Sequence, residues 1–252
     1  MIHFVGAGCG AADLITLRGK TLLEQADVIV YAGSLVNPAL LQYKKEGCRV
    51  YDSARMTLEE VLSVMVDAEA AGQDVVRLHT GDPCLYGAIR EQMDQLDKLG
   101  IPYDYCPCVS AFSGAAAALK MEYTLPEVSQ SVVITRMAGR TAVPERESVR
   151  SFAAHGATMV LFLSAGLLEQ TQAELLAGGY RPDTPAAIVY KASWPDEKTC
   201  LCTVGTLARC AQENGISKIA LIVVGDAVKQ SGYARSKLYD PAFSTEYRPA
   251  KE

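Results

Sequence analysis

Two loops of this sequence carry residues whose types and spacing could bind a nucleotide. The first, "FVGAGCGAAD" at residues 4–13, contains the pattern Gly6-x-Gly8-x-x-Ala11 directly after a short apolar run. In dinucleotide-binding folds such glycines allow a tight turn and bring a pyrophosphate to the start of the next helix. The pattern therefore raises NAD-dependent hydride transfer as a first hypothesis.

The surroundings of this loop disfavour a dinucleotide. That class needs an acidic residue at the end of the second strand, where it holds the ribose hydroxyls. In "DVIVYAGSLVNP" the acid, Asp27, stands at the start of the apolar run, and no carboxylate follows the run. The next helix can be capped only at Thr16, too late to receive a pyrophosphate placed on the loop. An NAD-linked oxidoreductase stays an alternative, as do glycines needed only for a tight turn.

The second loop lies in "RLHTGDPCLYG" at residues 77–87. An apolar run that ends in Thr80-Gly81-Asp82-Pro83 places a glycine, a carboxylate and a rigid proline at the carboxyl edge of a sheet. Open α/β sheets bind their ligands at that edge, and such a loop suits a nucleoside. His79 alternates with Leu78 along the strand, so only one of them can face a cleft, and we expect a structural His79.

Eight cysteines raise the question of a metal site, but none of them forms a C-x-x-C pair. Cys106 and Cys108, like Cys200 and Cys202, are spaced so that a strand would point both thiols to one face. Structural zinc prefers gaps of roughly two to four residues. We therefore expect small buried apolar residues in a reducing compartment and no metal, with a thiolate site built from both pairs as the alternative.

The composition limits the partners of the chain. Its 252 residues carry a net charge of −5, and 49% of them are hydrophobic, which is enough for a full core. Without a basic run, nucleic acid and anionic membranes are not expected as partners. No apolar stretch reaches the roughly 18 residues that span a bilayer, and no basic region precedes an apolar segment at the N-terminus. The cytoplasm is the expected compartment.

Strand-like and helix-like segments alternate along the chain, which predicts an α/β fold. Helices are expected from Thr16, as a cap, and from Thr57, which with Glu60 forms a capping box. The strand-like runs of the first half are "MIHFVGAG", "DVIVYAG", "DVVRLHTGDP" and "IPYDYCP". Those of the second half are "SVVITRMAG", "TMVLFLSAG", "TPAAIVYKAS" and "KIALIVVGDAV".

The aperiodic stretch "MEYTLPEVSQ" at residues 121–130 separates the two halves as a linker. We expect an N-terminal α/β domain over residues 1–120 and a C-terminal α/β domain over residues 121–252. Each is expected to be a mostly parallel or mixed sheet flanked by helices. The polar tail from about Lys229 is either docked or partly disordered.

Three stretches together resemble the N-terminal motifs of the tetrapyrrole (precorrin) methylases, in the same order: "VGAGCGAADLITLRG", "VVRLHTGDPCLYG" and "CPCVSAFSGAAAAL". Further stretches, among them "VITRMAGRTAVPERE" and "YKASWPDEKTCLCTVGTLA", resemble the branch that methylates precorrin-4 or cobalt-precorrin-4 at carbon 11. The resemblance covers essentially the whole chain. It implies the family's two-domain fold with the active-site cleft between the domains. It also implies a homodimer and an S-adenosylmethionine-dependent C-methyltransferase of cobalamin biosynthesis, which releases S-adenosylhomocysteine.

The resemblance also implies the cofactor-binding positions, which are Cys9, Thr80, Gly81, Asp82, Leu85, Ser110, Ala111, Ser164 and Ala192. Cys9 departs from the family, whose first loop usually reads "GAGPG". The uroporphyrinogen-methylating relatives carry an aspartate, proposed as a base, just after the strand corresponding to "VIVY". Ala32-Gly33-Ser34 stand there in this chain, so that base is not carried over.

Methyl transfer to an electron-rich ring carbon depends mainly on alignment of the reacting atoms. The catalytic candidates are Asp82, expected to orient its loop or a hydroxyl, and Tyr31 and Ser34, expected near the reacting ring. A tetrapyrrole that bears carboxylates calls for cations. The candidates for that role are Arg55, Arg136, Arg140 and Lys191, with solvated loop positions as the alternative for each.

Alternatives to this function stay open at this point. Within the family, the methylated ring position could differ. From other classes, the NAD-linked oxidoreductase and a non-catalytic tetrapyrrole-binding protein are the competing hypotheses. The residues do not indicate whether the tetrapyrrole already carries cobalt.

Overall fold

The computed structural model describes residues 1–251, so Glu252, the last residue of the expected C-terminal domain, lies outside the described residues. The chain divides into two compact units. The first consists of Met1–Ala115 together with Lys191–Glu197, and the second begins at Ala116, runs to Tyr190 and resumes at Lys198. The expected domain boundary after residue 120 stays a prediction.

A five-stranded parallel sheet forms the centre of the first unit. Its strands are β1 (Ile2–Gly6), β2 (Val28–Tyr31), β3 (Arg49–Asp52), β4 (Val75–His79) and β5 (Tyr103–Cys106). They lie in the order β3-β2-β4-β1-β5, and every neighbouring pair is parallel. The carboxyl ends of all five strands therefore meet at one edge, and β4 occupies the centre.

Helices flank the sheet in this part of the chain, and the first two begin directly after the caps that the sequence predicts. The helices are α1 (Leu17–Gln25), α2 (Leu58–Ala70), α3 (Arg90–Leu99) and α4 (Ala111–Leu119). Thr16 caps α1 by accepting a hydrogen bond from Gly19 N at 3.1 Å. At α2, Thr57 accepts from Glu60 N at 3.3 Å, and the Glu60 carboxylate accepts from Thr57 N at 2.7 Å. The expected cap and capping box are confirmed.

The two faces of β4 differ in chemistry. Val76 and Leu78 point into one apolar cluster, and Val75 points into the cluster on the opposite face with α2 and α3. Because side chains alternate along a strand, Arg77 and His79 share the face of Val75. Two polar side chains thus lie on a sheet face that is otherwise packed with apolar residues.

The second unit contains a mixed sheet. Its strands are β6 (Val132–Arg136), β7 (Thr158–Phe162), β8 (Pro185–Tyr190), β9 (Lys198–Thr203) and β10 (Ala220–Val224), in the order β6-β7-β10-β8-β9. The β6–β7 pair is parallel, and the three other pairs are antiparallel. The flanking helices are α5 (Val149–Ala153), α6 (Leu168–Ala177) and α7 (Leu207–Glu213). The expected α/β class with parallel or mixed sheets is confirmed.

Two segments of this unit contain no α-helix or β-strand. Residues 121–130, expected as a linker, form no helix or strand, although Tyr123 and Leu125 are buried. The tail begins docked, because Gln230 Nε2 donates to Leu119 O at 2.8 Å. Farther along, Arg248 Nη2 donates to Asp240 O at 2.6 Å and folds the tail up to Lys251 back on itself.

Within residues 1–251, no helix combines the length and apolar character needed to cross a membrane. The same residues contain no cluster of three or more His, Cys, Asp or Glu side chains arranged to hold a metal ion.

Candidate functional site

The two glycine-containing loops meet at the carboxyl edge of the parallel sheet. They follow β1 and β4, which are neighbours, and form a backbone bridge in which Gly81 N donates to Gly8 O at 2.9 Å and Gly8 N donates to Gly81 O at 3.2 Å. Both glycines have positive φ, +80° and +59°. A Cβ on Gly81 would lie 3.2 Å from Ala111 N, the first residue of α4. The two loops and this helix N-terminus thus approach one another closely.

Asp82 holds its own loop in place. Its carboxylate accepts hydrogen bonds from Cys84 N at 2.9 Å, from Cys108 N at 2.8 Å and from the Tyr105 hydroxyl. Burial raises the pKa of Asp82, but these three donors outweigh burial and leave the pKa below its ordinary value. Burial and the same hydrogen bond raise the pKa of Tyr105. An ionised, fully engaged carboxylate suits the expected orienting role, which stays a prediction.

Three further predicted cofactor positions lie in the loops that follow β4 and β5. Thr80 Oγ1 donates to Leu35 O at 3.4 Å, and Leu85 N donates to Asp82 O at 3.3 Å. Ser110 is buried directly before α4, and its carbonyl accepts from Gly114 N at 3.3 Å. These groups therefore surround the carboxyl ends of β1 and β4.

The segment Lys191–Glu197 belongs to the first unit, and it covers the first glycine loop. Ser193 Oγ accepts from Ala11 N at 2.9 Å and lies 3.6 Å from Cys9 Sγ. A Cβ on Gly10 would lie 2.2 Å from the carbonyl oxygen of Ala192. The structure thus brings Cys9 and Ala192, two predicted cofactor positions, to the same loop.

Ser193 is a residue that the sequence reasoning missed. Asn37, whose Nδ2 donates to Gly10 O at 3.0 Å, supports the same loop from the other side. The sequence offers only a weak signal for Ser193, since "KASWP" lacks periodicity and a serine there is an ordinary loop residue.

Ser164 lies in the second unit, immediately after β7. Its hydroxyl donates to Phe162 O at 2.7 Å and accepts from Met137 N at 2.8 Å, and the side chain is fully buried. The hydroxyl therefore already connects the ends of two neighbouring strands, β6 and β7.

The predicted substrate cations have different surroundings. Arg55 is 87% exposed and lies 4.0 Å from Asp52. Arg136 donates to Ala142 O at 2.7 Å and to Thr141 O at 3.2 Å, so its guanidinium holds the loop that follows β6. Lys191 pairs with Asp196 at 2.6 Å. Arg140 is exposed and has no ion pair within residues 1–251.

The loop after β2 carries the remaining candidates and a further acid. Tyr31 is half-buried and Ser34 is exposed. Asp52, at the end of the neighbouring strand β3, accepts a hydrogen bond from Gly33 N at 3.0 Å. A carboxylate from β3 thus reaches the loop that follows β2. The sequence reasoning missed Asp52, because it placed no strand at residues 49–52.

This chain is similar to known proteins in both sequence and structure. The model of the family "Tetrapyrrole (Corrin/Porphyrin) Methylases" matches residues 1–208. The cobalt-precorrin-4 C(11)-methyltransferase of Methanocaldococcus jannaschii is 52% identical over 247 residues, which cover 98% of this chain and 95% of the relative.

The solved structures that are similar to this one include two methyltransferases. The structure of a cobalt precorrin-4 methyltransferase from cobalamin biosynthesis has a TM-score of 0.88 and 45% identity, with 90% of this chain and 95% of that chain covered. The uroporphyrin-III C-methyltransferase of Thermus thermophilus, in complex with S-adenosylhomocysteine, has a TM-score of 0.77 and 26% identity, with 91% and 99% covered.

Proposed function

Because this chain belongs to the tetrapyrrole (corrin/porphyrin) methylase family, we propose that it transfers a methyl group from S-adenosylmethionine to carbon 11 of cobalt-precorrin-4 or precorrin-4. The product is the precorrin-5 form, an intermediate of cobalamin biosynthesis. The observation that carries the proposal is the 52% identity to a cobalt-precorrin-4 C(11)-methyltransferase over nearly the full length of both chains. Identity of this extent over nearly the full length of the relative supports the same ring position as well as the same chemistry.

The residues at the sheet edge fit S-adenosylmethionine. A side chain on Gly81 would crowd Ala111 N and would need a φ of +59°, so the glycine presents backbone groups next to a helix N-terminus. Backbone amides and carbonyls of this kind recognise a nucleoside and an amino-acid end without charged side chains. We propose that Gly81, Ser110, Ala111 and Ala192 hold the cofactor, together with the remaining predicted positions Cys9, Thr80, Asp82, Leu85 and Ser164.

When bound, S-adenosylmethionine supplies an electrophilic methyl group on a sulfonium. The task of the chain is then to hold the ring carbon in line with that methyl group, and alignment alone can lower a barrier by up to about 7–11 kcal/mol. Asp82 contributes by fixing the Gly81 loop through its three hydrogen bonds. Its lowered pKa makes it a weak base. Proton removal from the ring therefore falls to Tyr31, Ser34 or water in this proposal.

We propose that cationic side chains bind the carboxylates of the tetrapyrrole. Arg55 and Arg140 can reach carboxylates of a tetrapyrrole from exposed positions. Lys191 is half-buried and would turn from Asp196 toward the substrate, whereas Arg136 acts by shaping the loop between Arg136 and Ala142. We further propose a homodimer and a cytoplasmic location. The large apolar side chains exposed on the tail, Leu238, Tyr239 and Tyr247 among them, support the dimer. The eight free cysteines suit a reducing compartment.

Mass spectrometry of the reaction products tests the function. The purified protein is incubated with isotopically labelled S-adenosylmethionine in two reactions, one with precorrin-4 and one with cobalt-precorrin-4. The expected result is one added labelled methyl group at carbon 11 in at least one of the two. A label at another carbon would refute the ring position, and tight tetrapyrrole binding without label would support a non-catalytic binding protein. NADH binding in place of S-adenosylhomocysteine binding would support the oxidoreductase.

A further inference from the structure

A cavity of about 260 Å³ lies within the first unit beside the carboxyl-terminal half of β4. Arg77 and His79 of β4 line it together with Gln92 of α3. Thr80 and Leu85, which belong to the proposed cofactor positions, line it as well. The cavity is therefore continuous with the sheet edge at which the proposed methyl transfer takes place.

Arg77 is a buried cation without a counter-charge. Only 5% of its surface is exposed, although it lies on the central strand of the sheet. Its Nε donates to Gln92 Oε1 at 3.0 Å and its Nη1 donates to Val30 O at 3.2 Å, and both acceptors are neutral. Burial lowers the pKa of Arg77 to about 10, so the group stays protonated near neutral pH.

No carboxylate within residues 1–251 pairs with this guanidinium. Glu91 also lines the cavity, but it is exposed and makes no ion pair with Arg77. A buried charge that lacks a partner costs several kcal/mol of stability. Packing therefore does not account for an arginine at this position, whereas an incoming anion does.

His79 adds a second unsatisfied group to the same cavity. It is 4% exposed, and its Nε2 is buried without a hydrogen-bond partner in the described part of the chain. Burial and the nearby Arg77 charge lower the pKa of His79 to about 3, so the ring is neutral near neutral pH. A neutral imidazole still offers one N–H donor. An orphaned ring nitrogen next to an uncompensated guanidinium favours an acceptor-rich, negatively charged occupant.

The size of the cavity restricts that occupant. Sites for whole drug-sized ligands usually measure about 300–1,000 Å³, so this cavity suits a side chain of a larger ligand. A carboxylate matches the forked guanidinium, which can donate two parallel hydrogen bonds to it.

We propose that this cavity binds one carboxylate side chain of the tetrapyrrole, with Arg77 as the cation and His79 as a neutral hydrogen-bond donor. The proposal rests on the proposed function, since it deepens the identity of that substrate. It makes Arg77 and His79 positioning residues, because a ring held by one arm presents a fixed carbon to the methyl donor. The sequence analysis assigned His79 a structural role and did not single out Arg77.

Calorimetric titration with uroporphyrin III, a porphyrin with carboxylate side chains around its ring, tests the proposal. The variants are Arg77→Met, Arg77→Lys and His79→Phe, and Arg90→Met is the control, because Arg90 is exposed and its loss changes the net charge equally. The Kd for uroporphyrin is expected to rise about 10- to 100-fold in Arg77→Met, less in Arg77→Lys and His79→Phe, and under about twofold in Arg90→Met. The ligand-free Arg77→Met protein is expected to melt at or above the wild-type temperature, because a buried charge has been removed.

Titration with S-adenosylhomocysteine identifies the source of the carboxylate. If the anion belongs to the tetrapyrrole, the Kd for S-adenosylhomocysteine stays at the wild-type value in all variants. A parallel loss of both affinities would assign the cavity to the cofactor and overturn the proposal. So would wild-type uroporphyrin affinity in Arg77→Met and Arg77→Lys, or a wild-type protein that binds no uroporphyrin.

Labelled methyl transfer, measured on the same preparations, separates this proposal from the function. A wild-type protein that methylates a precorrin while the Arg77 variants bind uroporphyrin normally would refute the cavity and leave the function intact. A protein that binds uroporphyrin through Arg77 but transfers no methyl group would refute the function instead.

Discussion

The thiol of Cys9 lies 3.6 Å from the hydroxyl of Ser193, although 184 positions separate the two residues. The same hydroxyl accepts a hydrogen bond from Ala11 N, so the segment Lys191–Glu197 is fastened to the first glycine loop. Ser193 and Lys191 both have positive φ, 64° and 47°. Non-glycine residues adopt such angles at a cost of about 1–3 kcal/mol, which the surrounding contacts must offset. Cys9 thus stands at a point where a distant segment closes over the loop.

Gly10→Ala is expected to displace this segment. A Cβ on Gly10 would lie 2.2 Å from Ala192 O and 2.4 Å from Trp194 Cδ1, and the φ of Gly10 is +156°. We expect a loss of at least about 3 kcal/mol in the free energy of unfolding, weaker S-adenosylhomocysteine binding and a shift in the emission of Trp194, the single tryptophan of the sequence. Gly47→Ala is the control, since Gly47 also has positive φ but no atom within 4 Å. Its expected cost is only about 1–2 kcal/mol. Equal losses of unfolding free energy in the two variants, with unchanged Trp194 emission, would contradict the attachment of the segment Lys191–Glu197 to the first glycine loop.

The two strands that the sequence analysis missed are both sheet edges. β3 (Arg49–Asp52) and β9 (Lys198–Thr203) each have a single neighbouring strand and mostly unburied residues. Edge strands do not need a continuous apolar run, so the periodicity that reveals buried strands is absent from them. Missing β3 had a consequence for the site, because Asp52 was not recognised as a neighbour of Gly33.

Asp82→Asn is expected to loosen the second loop. An amide nitrogen in place of one carboxylate oxygen would face a backbone N–H of Cys84 or Cys108, donor against donor. We expect a loss of roughly 1.5–3 kcal/mol in the free energy of unfolding at pH 7, together with lower turnover and cofactor affinity. The control Asp183→Asn removes an exposed carboxylate, and its expected effect is below about 0.5 kcal/mol.

The difference in unfolding free energy between wild type and Asp82→Asn depends on pH through the pKa of Asp82. Because the folded-state pKa lies below the unfolded-state value of about 3.9, the stabilisation is complete above that pH and is lost as the pH falls through the folded-state pKa. Urea unfolding of wild type and Asp82→Asn should therefore converge only in acid. A constant difference down to the acid limit would rule out an ionised Asp82 as the stabilising species.

Arg136 and Arg140 allow a direct comparison of a loop-holding and a solvent-facing arginine. Arg136 donates to the carbonyls of Thr141 and Ala142, whereas Arg140 makes no ion pair in the described structure. Arg140→Ala is expected to raise the KM for the tetrapyrrole about two- to fivefold without a change in Tm. Arg136→Ala should raise the KM and also lower the Tm by roughly 2–4 °C. Steady-state kinetics and thermal melts check both, and a lower Tm in Arg140→Ala alone would reverse the assignment.

The limits of sequence reasoning are also visible at Arg77. The strand is predictable from its apolar run, and the Thr80–Pro83 loop from the glycine and proline that follow the run. The structure has β4 where the apolar run stands. An arginine inside such a run gives no sign of whether it reaches solvent, pairs with an acid or stays alone. That distinction depends on which helices cover the strand face, and here α2 and α3 contribute a glutamine but no paired carboxylate.

His79→Phe is expected to reduce the acid sensitivity of folding. The folded-state pKa of about 3 lies below the unfolded-state value of about 6.5, so the unfolded chain binds the extra proton between these pH values. The free energy of unfolding of the wild type therefore falls by up to about 1.4 kcal/mol per pH unit as the pH drops below about 6.5, and a phenylalanine removes this contribution. Urea unfolding at several pH values between 7 and 4 measures it, with the exposed His155→Gln as the control. If His79→Phe and wild type lost stability in parallel over this range, His79 would have to be solvated or charged in the folded protein, and a neutral donor in the cavity would be excluded.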